Sequence, residues 1–96
     1  MNYDLDYFIT KFQNIPEHKW VTGYFTDGRG NCCAYGHCGV SFTVFNTDES
    51  RCLDNILDSI GLHSFNLINV NDGKGDTLIF GKTPKQRVVN YLKSLK

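Results

Sequence analysis

The chain of 96 residues has no excess of either charge, ten Lys plus Arg standing against ten Asp plus Glu. A whole-surface nucleic-acid binder and an acidic mimic of DNA both depend on a large field of one sign, so both are disfavoured. Long apolar runs are missing too. Every hydrophobic segment is interrupted within about seven positions, far short of the roughly 18 residues of a membrane span. The start, Met1-Asn2-Tyr3-Asp4-Leu5-Asp6, has two acids where a secretory signal needs a basic stretch, and no apolar stretch follows. A cytoplasmic protein is predicted. Proline is scarce, with two residues, and no repeat, low-complexity segment or dividing linker occurs. What is present is material for a core: 41% hydrophobic and 14% aromatic residues are too much for a disordered tail. One small domain with a thin core follows, since a chain of this length hides only about 60 to 65% of its unfolded surface.

Three apolar stripes predict helices. Leu5, Phe8, Phe12 and Ile15 form the first, with Asn2 placed to cap it, Asp4 and Asp6 in its first turn, and Pro16 to end it. Leu53, Ile56, Leu57 and Ile60 recur at i, i+3, i+4 and i+7 and predict a helix over 48–60, capped by Thr47 or Asp48, favoured by Glu49, and stopped at Gly61. Thr83-Pro84-Lys85-Gln86 opens the last with a cap, a proline at the first helical position and a capping-box Gln, ahead of Val88, Tyr91, Leu92 and Leu95.

Strands are predicted at 20–25, 40–46, 65–71 and 77–80 from β-prone composition, and the alternation of Val40, Phe42 and Val44 supports the second. Thr26 to Asn31 is a reversal, Asn71-Asp72-Gly73 a hairpin turn whose tip runs to Asp76, and 32–39 a tight loop or one short helical turn. The sum predicts an α+β domain, three helices covering one face of a three- to four-stranded antiparallel sheet, with a mostly α fold as the alternative.

The chemistry-bearing segment is Cys32-Cys33-Ala34-Tyr35-Gly36-His37-Cys38-Gly39. One reading is a metal site from Cys33 and His37, with Cys38 or Cys32 and the distant Cys52, whose ligand types suit zinc but whose spacing lacks a Cys-x2-Cys knuckle. Another is a thiol-dependent hydrolase in which Cys33 or Cys38 attacks, His63 is the base, and Asn66, Asn71 or Asp72 orients the imidazole. The leading reading makes the cysteines small, reduced, buried core residues, with His37 bonded to a loop carbonyl and Gly36 and Gly39 serving close backbone approach or positive φ. It calls for no cofactor.

The run Asn31 to Gly39, together with Lys19-Trp20-Val21-Thr22-Gly23, Asn71-Asp72-Gly73 and Thr83-Pro84-Lys85-Gln86-Arg87, resembles a group of small uncharacterised proteins of bacteriophages and gut bacteria. The similarity spans Trp20 to Leu95. It brings no activity or site residue, and implies an intracellular accessory protein that binds a host component or a small signalling molecule.

Neutrality is itself a cancellation. Residues 1–81 hold five Lys plus Arg and ten Asp plus Glu, whereas Lys82, Lys85, Arg87, Lys93 and Lys96 close the chain with no acid among 82–96. A solvated basic face accounts for this, helped by Lys93 and Lys96 at a helix C-terminus and attraction to Asp54 and Asp58. The expected function is a non-enzymatic binding module whose contact surface is the Cys/His loop with the Thr26 to Asn31 turn and the Asp72 to Asp76 hairpin tip. The candidate contacts are Arg29, Asn31, Tyr35, His37, Asp72 and Lys74, toward a partner protein or a small anionic ligand.

Overall fold

The computed structural model describes residues 3–96, and its regular elements are helices: α1 (Leu5–Gln13), α2 (Ala34–His37), α3 (Asp48–Ser59), α4 (Ser64–Asp72) and α5 (Pro84–Ser94), with 3₁₀ helices at Glu17–Lys19 and Gly75–Phe80. The three apolar stripes correspond to α1, α3 and α5. Asp4 caps α1, its carboxylate accepting from the Tyr7 amide at 2.8 Å, while Asn2, the expected cap, lies outside the described residues. Thr47 caps α3 through a reciprocal box, accepting from the Ser50 amide at 3.0 Å as Ser50 Oγ accepts from the Thr47 amide at 2.8 Å. Thr83 accepts from the Gln86 amide at 3.1 Å, but the Gln86 side chain closes on the Lys82 amide, one residue before the cap.

The expected sheet is overturned. Among the described residues there is no strand ladder, only two isolated bridges in which Cys32 meets Trp20 and Thr26. The α alternative describes the molecule, and each predicted strand fails for a local reason. Segment 20–25 is broken at Gly23, where φ is +80°, and folds back around Cys32, whose amide donates to the Lys19 carbonyl at 2.9 Å. Segment 40–46 closes on itself, the Ser41 amide donating to the Val44 carbonyl at 2.8 Å, so Phe42 and Val44 share no buried face. Segment 65–71 is α4. His63 Nδ1 accepts from the Phe65 amide and Asn66 Oδ1 from the His63 amide, and Leu67, Val70 and Asn71 are buried at i, i+3 and i+4. The expected hairpin turn is the C-terminus of α4, Gly73 supplying at φ +72° the left-handed conformation that either structure needs. Segment 77–80 continues as a 3₁₀ helix tied back by Thr77 Oγ1 to the Lys74 carbonyl at 2.8 Å.

The buried apolar residues form one cluster. α5 packs against α1 and α4, α2 against α4, and α3 against α1. Phe8, Phe12, Leu53, Leu57, Leu67 and Leu92 are sealed from solvent, each contributing about 1.5 to 3 kcal/mol of transfer free energy. Arg87 is only 5% exposed and has no carboxylate partner among the described residues. Its Nε donates to the Val70 carbonyl at 2.9 Å and its terminal nitrogen to the Asn71 carbonyl at 2.8 Å. The cation thus sits on the negative end of α4, where the last carbonyls have no helical partners. No helix of the described residues is long and apolar enough to cross a membrane.

Candidate functional site

Three side chains join the Cys/His segment to the rest of the molecule. Asn71, 1% exposed, accepts from the Ala34 amide at 3.1 Å through Oδ1 and donates to the Val21 carbonyl at 2.9 Å through Nδ2. It therefore fixes the start of α2 and the loop after Trp20 to the end of α4. Asp72 Oδ1 accepts from the Gly23 amide at 3.0 Å and from Asn71 Nδ2 at 3.0 Å, locking the same loop one residue further on. Thr47 Oγ1 donates to the Cys38 carbonyl at 2.6 Å, tying the segment's far end to α3.

The two glycines have different duties. At Gly36 a Cβ would lie 1.8 Å from the Phe25 carbonyl oxygen, so only glycine lets the 20–33 loop lie directly on α2. That carbonyl also accepts from the Cys33 amide at 3.2 Å. Gly39 instead leaves α2 at φ +92°, a conformation that side-chain-bearing residues seldom adopt.

This packing leaves a cleft of about 150 Å³ between the 20–33 loop, α2 and α4. It is lined by Tyr24, Phe25, Phe42, Ala34, Tyr35 and Asp72 among others. Phe25 and Phe42 meet edge to face with centroids 6.3 Å apart. Two depressions continue it: one runs past Tyr35 and Ile68 to Phe45 and Asp54, the other past Tyr24 and Phe42 to Asp27. Tyr24, Phe42 and Phe45 are 62%, 66% and 72% exposed, too much aromatic surface to be explained by the chain's own core. Tyr35 is buried and donates to Asp54 Oδ1; burial first, then this carboxylate, raise its hydroxyl pKa, so it stays a neutral donor.

Of the binding candidates, Tyr35 and Asp72 line the cleft. Arg29 and Asn31 belong to the neighbouring turn, where Asp27 accepts from the Arg29 amide at 2.7 Å and the Asn31 side chain at 2.8 Å. The Asn31 side chain first, then the Arg29 amide, lower the Asp27 pKa. Lys74 lines a separate depression with Asp76 and Ile79. His37 turns to Trp20, ring centroids 4.7 Å apart, and its Nε2 is buried without a hydrogen-bond partner, so the expected bond to a loop carbonyl is not made there; burial lowers its pKa.

The thiols are scattered. Cys33 reaches the cleft, but burial raises its pKa against a smaller opposing effect of the Gly36 and Tyr35 amides, and no imidazole lines the cleft beside it. Cys38 is buried and its thiol pushed up to about 12 by desolvation. Cys52 lies half-buried on α3, and His63 caps α4 with its ring stacked on Phe65. No group of three or more His, Cys, Asp or Glu side chains among the described residues could hold a metal ion.

Sequence reasoning missed Tyr24, Phe25, Phe42, Phe45 and Ile68. The signal for two of them lay in Ser41-Phe42-Thr43-Val44-Phe45-Asn46, where large aromatics stand among loop-forming polar residues; reading the alternation as a strand hid it. No protein-family model, curated protein or solved structure matches this chain, so the cleft's own geometry carries the functional argument.

Proposed function

We propose that this chain is a non-enzymatic binding module, of the accessory kind its resemblance suggests, and that the aromatic cleft beside Asp72 is its contact surface. The supporting observation is a cleft lined by exposed Tyr24 and Phe42 beside buried Ala34 and Tyr35, tied to α4 by the buried Asn71 and the half-buried Asp72. Such a patch is stabilised by a partner that removes it from water. Its size favours a protein segment over a free small molecule. The central part, at about 150 Å³, suits one inserted side chain, and the open extensions of about 200 and 440 Å³ suit the residues that flank it better than one enclosed small molecule. Thiol chemistry is disfavoured because Cys33 has neither a depressed pKa nor a neighbouring base.

The test uses indole as an isolated aromatic side chain, titrated into ¹⁵N-labelled protein. Amide shifts at Gly23, Ala34 and Phe42, lost in Phe42→Ala, are the expected result. Silence at those amides up to the solubility of indole refutes the reading. Rapid alkylation of Cys33 by iodoacetamide in the folded protein would favour the thiol enzyme instead.

A further inference from the structure

Resting on the cleft as contact surface, we infer that its occupant is a basic peptide segment of another protein, with an apolar side chain set between lysines or arginines. The central cleft and its two extensions bring together three carboxylates, Asp72, Asp54 and Asp27, and no Lys, Arg or His lines any of the three. None of these carboxylates is in an ion pair among the described residues, whereas Asp6, Asp48 and Glu49 are paired with Lys96, Arg51 and Lys11. The hydrogen bonds that Asp72 and Asp54 accept within the chain all fall on Oδ1. Asp27 shares its turn with Arg29, which offsets its charge locally, so the acidic character of the surface rests on Asp72 and Asp54.

These two carboxylates stand in the two depressions that meet at Phe25, Tyr35 and Ile68. The surface therefore combines an apolar region shared by the two depressions with one carboxylate in each. A segment of the opposite pattern places its anchor on Ala34 and Tyr35 and its cations beside the carboxylates, with Tyr24 and Phe42 offering ring faces to the same cations. The wider charge pattern agrees. Residues 1–81 carry ten acids against five cations, and Arg87 spends its charge inside the molecule on α4. The basic end of a second copy is a poorer occupant, because Leu92 is in the core, Leu95 packs against it, and Lys96 already pairs with Asp6 at 2.7 Å.

The experiment titrates three pools of synthetic heptapeptides, each with a central Phe or Leu and flanks drawn from Lys and Arg, from Ser and Ala, or from Asp and Glu, into the ¹⁵N-labelled full chain. The basic pool is expected to shift the Gly23, Ala34 and Phe42 amides at about tenfold lower concentration than the neutral pool. That advantage should shrink as NaCl rises from about 50 to about 500 mM. Asp54→Asn and Asp72→Asn should each reduce it while keeping the dispersion of the folded spectrum. Because both carboxylates also hold structure, the salt series on wild-type protein decides if either variant unfolds. Equal or better response to the neutral or acidic pool overturns the basic partner and leaves the cleft reading standing. Response to indole but to no peptide pool overturns the peptide occupant alone. Silence to indole and peptides removes both readings. Cleft shifts that follow the protein's own concentration assign the site to a second copy and also overturn the inference.

Discussion

Replacing Asn71 tests the joint on which the cleft depends. Asn71→Ala removes the acceptor for the Ala34 amide and the donor for the Val21 carbonyl. Ala34 is 1% exposed, so its amide takes close to the full cost of a buried unsatisfied group, about 2 kcal/mol, whereas half-buried Val21 is partly rescued by water at about 1 kcal/mol. The sum of about 3 kcal/mol is a large fraction of the roughly 5 to 15 kcal/mol that holds such a domain together. Urea denaturation should show a lower midpoint at unchanged slope. Asn71→Asp sharpens the test, because its carboxylate keeps the acceptor for Ala34 but, when ionised, has no donor for Val21 and stands beside Asp72. Burial and Asp72 raise that carboxyl above its ordinary value of about 3.9, so its folded form binds the proton more tightly than its unfolded form. Stability is then fully present below the unfolded value and is lost as pH rises through the folded one. Asn71→Asp should be more stable than Asn71→Ala near pH 4 and less stable near pH 8. A loss under about 1 kcal/mol for Asn71→Ala, or an Asp variant with no pH dependence beyond wild type, would refute the reasoning.

Arg87→Met should destabilise by about 3 kcal/mol, since two charge-assisted bonds to the end of α4 are lost while the volume is largely kept; Arg87→Lys, with fewer donors, should fall between, by thermal denaturation. Gly36→Ala should cost about 2 kcal/mol or more and displace the 20–33 loop, read as amide shifts centred on Phe25; an unchanged spectrum would show that the loop does not rest on α2. Cys33 and Cys38 should react with a disulfide reagent at pH 8 far more slowly than the half-buried Cys32 and Cys52, and all four alike in denaturant. Their raised folded pKa values also mean that stability, complete below about pH 8.5, declines as pH rises toward the Cys38 value of about 12. A flat stability profile above pH 9, or equal native reactivity, contradicts that burial.

Legibility along the chain followed the range of the interactions. α3 was predicted to within a residue because its stripe, its Thr47 cap and Gly61 all act across one or two turns. α4 was missed although its evidence was also local. Phe65, Leu67, Ile68 and Val70 have the composition of a strand, and Asn71-Asp72-Gly73 suits a hairpin as well as a helix end. The choice was made by burial of Leu67, Val70 and Asn71 on one face against α2 and α5, which composition does not encode. The sequence marks Gly36 and Gly39 for close approach or positive φ, yet which serves which duty depends on where the Phe25 carbonyl lies.

By itself, then, the sequence determined three amphipathic helices, the Thr47 and Thr83 caps of two of them, the reversal at Thr26 to Asn31, and a charge total of zero. Those are properties of neighbours. Only the tertiary structure decided that the domain has no sheet among its described residues and that Arg87 is an internal cap. It also brought the aromatics of two loops around Asp72 and Tyr35. The bonds that build the cleft join residues 37, 49 and 50 positions apart, Asn71 to Ala34, Asp72 to Gly23 and Asn71 to Val21. At such separations a pairing is chosen by the packing of the whole chain, because only the closed core removes water from the amide and carbonyl groups that Asn71 then satisfies.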